Sequence, residues 1–533
     1  MLLELLRRLR RPAASSARSQ KHAQVAKAHI ARREYALAAE QLAIVAKLEP
    51  GNAAWPAAQA DCHARAGDMQ AAARSLEAAL ALAPREAQLW TKLGYARWEL
   101  ALVDEAIAAY RRAIECDPRA EPAGGNLLFA LLHRSESPAE CLREAKRWAK
   151  FSVPQDAVAA ASLPNSAIPK RRLRIGYVSA DLRNHAMASF IEAMLAWHDA
   201  QRFELVCYDG TPHTDAVSAR LREYGALWRP AGKLDDAAFA SLVSADGIDI
   251  LVDLSGHTAG NRLRAFARRL APVQVCNQGY PGTTGLECFD WRLTDGGNDP
   301  PGSADAYYTE RLYRLPEFSF CYRPAAASPL PRDPGSAFTF ASLNNVRKIT
   351  PRMVALWGQL LQRVPVARLL IAGTPPGPAR DWIVAQLTDA GVARERLEVQ
   401  GWQPQEKYTA LHGRVDVALD TFPYNGSTTT FEALFHGVPV ITLAGPVFVS
   451  RHGRATLEAL GEGRFAADSD EGYIALAAGL AALPGELPAL RRELHNRMRH
   501  SAILDERGYV ARLEDAYRDM WRQWCSRTAT DAP

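Results

Sequence analysis

Ser427, Thr428 and Thr429 are the residues whose types and spacing first suggest chemistry. They lie in the stretch Asp420 to Thr442, DTFPYNGSTTTFEALFHGVPVIT, just after a turn marked by Pro423, Asn425 and Gly426. Apolar residues follow at helical spacing (Phe431, Leu434, Phe435) and stop at Gly437 and Pro439. The turn therefore sets hydroxyls and free backbone N–H groups at a helix N-terminus, which suits a phosphate or diphosphate. The glycines match neither the dinucleotide nor the P-loop spacing, so the pattern names no ligand. Taken alone, a Ser/Thr run before a helix reads first as an N-cap.

The elements that would position this turn are strands on either side, VDVAL (Val415 to Leu419) and VPVIT, which make a βαβ unit. It belongs to a longer α/β cycle with strands expected at Phe338, Ala367 and Arg396 and helices over 350–364 and 377–391. An earlier cycle opens with RLRIGYVSAD and continues with strands from Phe203, Ile248 and Pro272, with a helix starting near Met187. Strand–helix alternation predicts two doubly wound parallel sheets, whose ligands sit beyond the carboxyl ends of the strands. Both halves should then lend loops to one cleft. A final amphipathic helix is expected over 506–525, carrying Tyr509, Leu513, Tyr517, Met520 and Trp521.

The first third follows a different rule. Pro50, Pro84 and Pro118 recur every 34 residues, each closing an apolar helix, which is the tetratricopeptide period. The third unit carries Trp90, Leu93, Gly94, Ala106, Tyr110 and Ala113; a degraded fourth runs from about Glu121 to Phe151. Such stacks present a concave surface to peptides, and they also serve as spacers or dimerisation arms, which allows a homo-oligomer. The organisation expected is a basic amphipathic leader over 1–20, repeats over 21–151 and a linker over 152–172. An N-terminal Rossmann-like half over 173–325, a C-terminal half over 337–505 and the closing helix complete it. The stretch PEFSFCYRPAAASPLPRDPGS reads as the boundary between the halves.

Composition excludes several classes. Of 533 residues, 64 are basic and 59 acidic, a net +5 too balanced for a nucleic-acid footprint. The 8 cysteines form no CxxC pair and no zinc spacing, which favours reduced thiols in the cytoplasm. No apolar run reaches the roughly 18 to 20 residues that span a bilayer. The start, MLLELLRRLRRPAASSARSQ, lacks a secretory apolar core and reads as an arginine-rich leader, with a membrane-surface helix as the lesser reading. Without aromatic or glycine interleaving, its arginines do not read as an RNA-binding segment.

Five motifs in order carry a resemblance: RIGYVSADLRNHAMASFIEA from Arg174, DGIDILVDLSGHTAGNRL from Asp246, APVQVCNQGYPGTTGL from Ala271, FASLNNVRKITP from Phe340 and LDTFPYNGSTTTFEAL from Leu419. With the repeats ahead of them, the chain resembles the O-GlcNAc transferase/SPINDLY family of protein O-glycosyltransferases (glycosyltransferase family 41), nearer its SPINDLY-like branch. The resemblance implies a GT-B fold and an inverting, metal-independent transfer of a sugar from a nucleotide diphosphate donor to Ser or Thr of a protein. It implies no cofactor, with the nucleotide sugar as substrate. Such a transfer needs in-line attack by a hydroxyl, compensation for the departing diphosphate and a route for the proton.

On that resemblance Lys348 is the lysine that neutralises the leaving diphosphate, and His185, in the turn after the first strand, acts as base or orients the acceptor hydroxyl. Asn344 and Asn345 line the same cleft, Ser427, Thr428 and Thr429 hold the diphosphate, and Glu432 accepts from ribose hydroxyls. Gln403 and Pro404 match the segment that reads the nucleobase through its backbone. Gly279, Tyr280, Pro281, Gly282, Thr283 and Thr284 form the loop near sugar and acceptor, with His257 beside it and Asp253 structural. Ser427 stands where animal members have histidine, and Asn277 and Gln278 replace an aromatic–aliphatic pair, so donor contacts or loop packing should differ there.

Asp468-Ser469-Asp470 is a DxD, which holds a metal in other glycosyltransferases, but it falls in a late polar loop and reads as solvated; no metal site is expected. The expected donor is UDP-GlcNAc, with GDP-fucose and a bacterial flagellin-type donor as alternatives. The repeats are expected to select acceptor proteins. A catalytically degenerate repeat scaffold is the reading from another class.

Overall fold

In the computed structural model, the described residues are 16–153, 163–324, 331–333 and 337–530. Residues 1–15 of the leader and parts of the linker and of the proline-rich boundary therefore lie outside the described residues. One compact unit holds the chain to Leu131 together with Gly377–Ala379, and a second holds Leu132–Pro376 and Arg380–Pro533.

The first unit is a stack of paired helices. Tyr35–Leu48, Met69–Leu82 and Val103–Cys116 begin and end at an interval of 34 residues, and each stops two residues before Pro50, Pro84 or Pro118. Proline has no N–H for the helix ladder and clashes with the turn before it, so the period in the text becomes the period of the helices. Small residues set the spacing between partners. A Cβ on Gly94 would lie 2.4 Å from the Tyr110 ring, and Tyr110 is buried against it. The Glu121–Leu131 helix closes this unit's core with Ala123 and Leu127. Pro138–Ser152, read from the sequence as the other half of a fourth repeat, belongs to the second compact unit.

The second unit carries two parallel sheets. In the first, β1 (Leu173–Ser179), β2 (Phe203–Asp209), β3 (Leu227–Pro230), β4 (Ile250–Asp253), β5 (Val273–Cys276), β6 (Trp291–Asp295) and β7 (Arg311–Leu315) run in the order β3-β2-β1-β4-β5-β6-β7. In the second, β8 (Thr339–Ser342), β9 (Arg368–Ile371), β10 (Leu397–Val399), β11 (Val417–Leu419), β12 (Val440–Leu443) and β13 (Ala466–Ala467) run β10-β9-β8-β11-β12-β13. The winding reverses between β1 and β4 in one sheet and between β8 and β11 in the other. Loops leaving these strands splay apart and open a crevice, which is where open parallel sheets bind ligands.

Two segments tie the halves together. The Glu506–Thr530 helix returns to the first sheet, burying Tyr509, Leu513, Tyr517, Met520 and Trp521 among Leu173, Ile175, Ile250 and Val273. The start of the supposed boundary, PEFSFCY, is not a linker: Phe318, Phe320 and Tyr322 are buried. Their alternation turns one face toward the second half. Phe318 and Tyr322 pack on Phe431, at 6.1 and 5.4 Å between ring centroids, and Phe320 lies 4.8 Å from His452. Proline and serine density misled the boundary reading because the apolar period-2 signal occupies only five residues before them.

Candidate active site

The turn read first from the sequence follows β11, and the Lys348 turn follows β8, so the two flank the reversal point of the second sheet. Hydrogen bonds join them. Lys348 Nζ donates to the Asn425 carbonyl at 2.8 Å and lies 4.0 Å from the Tyr424 ring centroid, while Thr350 Oγ1 donates to the Phe422 carbonyl at 3.0 Å. Burial pushes the Lys348 ammonium down to about 8, against the pull of Asp420. It stays charged at neutral pH and sits poorly solvated, which strengthens its field on any anion placed beside it.

Asp420 organises the turn from below. Its Oδ1 accepts from the Gly426 and Thr421 N–H groups at 2.6 and 2.9 Å and from Asn344 Nδ2 at 3.3 Å; its Oδ2 accepts from Thr442 Oγ1 at 2.9 Å. Burial raises its carboxyl to about 6 in spite of these bonds. The Asn425 side chain donates to the Thr421 carbonyl at 2.8 Å and accepts from the Gly453 N–H at 3.1 Å. Gly426 is required by space: a Cβ there would lie 2.4 and 2.5 Å from the Thr429 and Thr430 hydroxyls.

Thr428–Phe435 is the helix that starts here, and Ser427 does not cap it with its side chain. The N-cap reading therefore fails for Ser427, whose Oγ lies 3.1 Å from His452 Nε2. Thr429 Oγ1 donates to Asn344 Oδ1 at 3.0 Å, while the half-buried Thr428 hydroxyl has no hydrogen-bond partner among the described residues. The helix thus presents backbone N–H groups and the Thr428 hydroxyl at its positive end, beside a buried ammonium.

Glu432, one turn further on, is buried, accepts from Gln405 Nε2 at 3.2 Å and is raised to about 7 by burial, against bonds from Gln405 and Tyr322. Gln405 begins the helix for which Pro404 is the residue before the first turn, and Gln403 is half-buried ahead of it. Asn344 joins this constellation, but Asn345 does not: it is exposed and accepts from the Arg347 N–H at 3.0 Å, capping the short Val346–Lys348 turn.

In the first half the corresponding loops follow β1 and β4. His185 is exposed after β1, its Nδ1 accepting from the Met187 N–H at 3.3 Å and lying 3.8 Å from Asp181 Oδ2. Partial desolvation of the ring lowers its pKa, against the pull of Asp181. Just beyond it, Phe190 reaches Phe431 across the halves at 6.1 Å. His257 is buried between Trp148 and Tyr280, at 4.5 and 5.0 Å, and its Nε2–H donates to the Thr284 carbonyl at 2.9 Å; burial lowers it to about 4. It holds the Gly279–Thr284 loop from behind as a neutral ring. Asp253 caps the turn before it, accepting from the Ser255 and Gly256 N–H groups at 3.2 and 2.7 Å.

That loop rests on charged groups that the sequence reading missed. Buried Arg292 donates to the Tyr280 and Gly282 carbonyls at 3.0 and 2.9 Å, and Glu310 accepts from Thr283 Oγ1 and the Thr284 N–H, both at 2.7 Å. At Gly279 the chain passes so close that a Cβ would lie 1.8 Å from the Leu254 carbonyl oxygen. Pro281 and Gly282 remain half-buried at the rim, whereas Gln278 is buried and donates to Tyr509 Oη at 2.8 Å, so its unusual identity serves loop packing. The DxD carboxylates are ion-paired, Asp468 with Arg454 at 2.6 Å and Asp470 with Arg352 at 2.8 Å. Among the described residues no three His, Cys, Asp or Glu side chains group as metal ligands.

Of the missed residues, Asp420 and Asn425 stood inside the motif and were passed over for its hydroxyls. Arg292, Glu310 and His452 had no local signal, since each acts on a loop distant in sequence.

The family description "Glycosyl transferase family 41" matches residues 157–322 and 329–513, and "Tetratricopeptide repeat" matches residues 87–119. The chain is 38% identical over 438 residues to the probable UDP-N-acetylglucosamine–peptide N-acetylglucosaminyltransferase SPINDLY of Oryza sativa subsp. japonica, covering 79% of this chain and 47% of that one. It is 30% identical over 373 residues to the probable UDP-N-acetylglucosamine–peptide N-acetylglucosaminyltransferase SEC of Arabidopsis thaliana, covering 67% and 38%. The chain thus spans about half the length of the curated relatives it matches. A solved structure of a mutant O-GlcNAc transferase of Thermobaculum terrenum superposes with a TM-score of 0.86 at 35% identity, covering 96% of this chain and 100% of that one.

Proposed function

The chain belongs to glycosyl transferase family 41, and we propose that it transfers N-acetylglucosamine from UDP-N-acetylglucosamine to serine or threonine hydroxyls of acceptor proteins, with inversion and without a metal ion. The observation that carries this reading is the Lys348 ammonium, held on the Asn425 carbonyl beside the uncapped Thr428–Phe435 helix at the reversal point of the second sheet. The names of the relatives support the donor and the protein acceptor. In the reaction the acceptor oxygen bonds to the anomeric carbon as the bond from that carbon to the diphosphate breaks. The diphosphate leaves with the electron pair, and Lys348, the helix N–H groups and the Thr428 hydroxyl compensate its charge. The hydroxyl proton departs on the side of the first half, where His185 orients the acceptor or takes the proton through water. Glu432 accepts from the ribose and the 403–405 segment flanks the base. The repeats select the acceptor.

Mass spectrometry of co-expressed acceptor proteins tests this. Wild type is expected to add a HexNAc mass to Ser or Thr, Lys348→Ala to lose at least a hundredfold of the rate while remaining folded, and EDTA to leave the rate unchanged. An adduct that persists in Lys348→Ala sinks the leaving-group role, and no adduct with any nucleotide sugar favours a scaffold.

A further inference from the structure

Asp295 ends β6 and is buried. Its Oδ1 accepts from the Gly297 and Asn298 N–H groups at 3.0 and 2.8 Å, and its Oδ2 accepts from Asn298 Nδ2, the Ser319 N–H and Ser319 Oγ at 2.8, 2.9 and 2.5 Å. With five donors converging on it, this carboxylate acts only as an acceptor, which fixes the Asn298 amide with its nitrogen toward Asp295. The Asn298 oxygen then faces His452 Nδ1 at 3.0 Å, so the hydrogen of that bond sits on Nδ1. His452 is buried and held neutral, its pKa pushed down to about 4 by burial. A neutral ring with a proton on Nδ1 has a bare Nε2, and the atom facing Nε2 is Ser427 Oγ at 3.1 Å. Ser427 must be the donor of that bond.

We propose that His452 is a positioning residue that commits the Ser427 hydrogen to its own ring, so that Ser427 meets the donor substrate as a hydrogen-bond acceptor for a hydroxyl or amide N–H of the sugar. A diphosphate oxygen carries no hydrogen to offer it, so the diphosphate falls to Lys348, the helix N–H groups and Thr428 instead. This deepens the proposed function and rests on its use of a nucleotide sugar. It also separates Ser427 from the two threonines with which its type and spacing group it. The relay crosses between the halves, since Asp295 and Asn298 follow the first sheet while His452 and Ser427 belong to the second. Arg451 Nε donates to the Gly297 carbonyl at 3.1 Å beside it, and a Cβ on Gly297 would lie 3.0 Å from that of Ala455. The Phe448–Ala459 helix is thereby pressed on the loop that orients the ring.

Calorimetric affinities of the full chain for UDP and for UDP-N-acetylglucosamine test the assignment. Ser427→Ala and His452→Leu are expected to leave UDP within about twofold and to weaken UDP-N-acetylglucosamine about five- to tenfold, the scale of one hydrogen bond. His452→Gln, which keeps an acceptor in reach of Ser427, is expected to recover most of that loss. If Ser427→Ala weakens both ligands equally, or neither, the assignment is wrong. A wild type that binds neither ligand overturns the donor instead. In that event 15N spectra of the histidines, with His452 identified by the loss of its signals in His452→Gln, decide the relay alone: protonated Nδ1 with bare Nε2 upholds it, and the opposite tautomer overturns it.

Discussion

Lys348 and Glu432 have been moved toward neutrality from opposite directions, because both lose solvent in the same crevice. Burial brings the ammonium down to about 8 and the carboxyl up to about 7. If the free enzyme needs Lys348 charged to receive the diphosphate and Glu432 ionised to accept from ribose, kcat/KM falls below about 7 and again above about 8. Glu432→Gln is expected to abolish the acid limb and keep the alkaline one; a profile flat from pH 6 to about 9 contradicts both assignments. The family resemblance, and not residue type, singled out Lys348 and Glu432, since by type alone a lysine after a strand reads as a solvated surface group. Asn345 shows the limit. It is adjacent to Asn344 in sequence, yet one side chain enters the crevice and the other caps a turn at the surface. Sequence proximity does not state direction.

At the scale of elements, the turn between β11 and its helix is shaped by bonds to the backbone more than by its hydroxyls. Asp420 takes two turn N–H groups, and Gly426 leaves room for the Thr429 and Thr430 hydroxyls. Gly426→Ala forces those groups apart and is expected to cost about 1–3 kcal/mol, read by urea denaturation, and to weaken UDP binding as well. Unchanged affinity would mean that the turn is not part of the ligand site. The βαβ period was readable because strand, glycine turn and helix each carry a local signal. β6 and β7 were not anticipated, since charged and polar residues interrupt WRLTD and RLYRL. The burial of β6 comes from neighbours: Arg292 is buried because the Tyr280 and Gly282 carbonyls satisfy its guanidinium. A buried arginine has no periodicity to betray it.

At the scale of the molecule, the last helix is structural to the first sheet. Trp521 is fully buried, and its indole donates to the Ile168 carbonyl at 3.1 Å. Trp521→Ala is expected to cost about 3–5 kcal/mol in chemical denaturation, and a loss under about 1 kcal/mol would show that the helix packs only weakly there. The closing helix itself was visible as an apolar stripe; which of the two sheets it covers was not. Among the described residues no single helix is long and apolar enough to cross a membrane. By itself the sequence determined the 34-residue helical repeat, the alternation that makes two parallel sheets, and a Ser/Thr turn ahead of a helix, because period and turn chemistry are properties of neighbours along the chain. Only the tertiary structure decided that Asp295, Asn298 and His452 stand in line behind Ser427. Asp295 and Asn298 are far in sequence from His452 and Ser427, and the direction of a hydrogen bond is set by what lies across the gap.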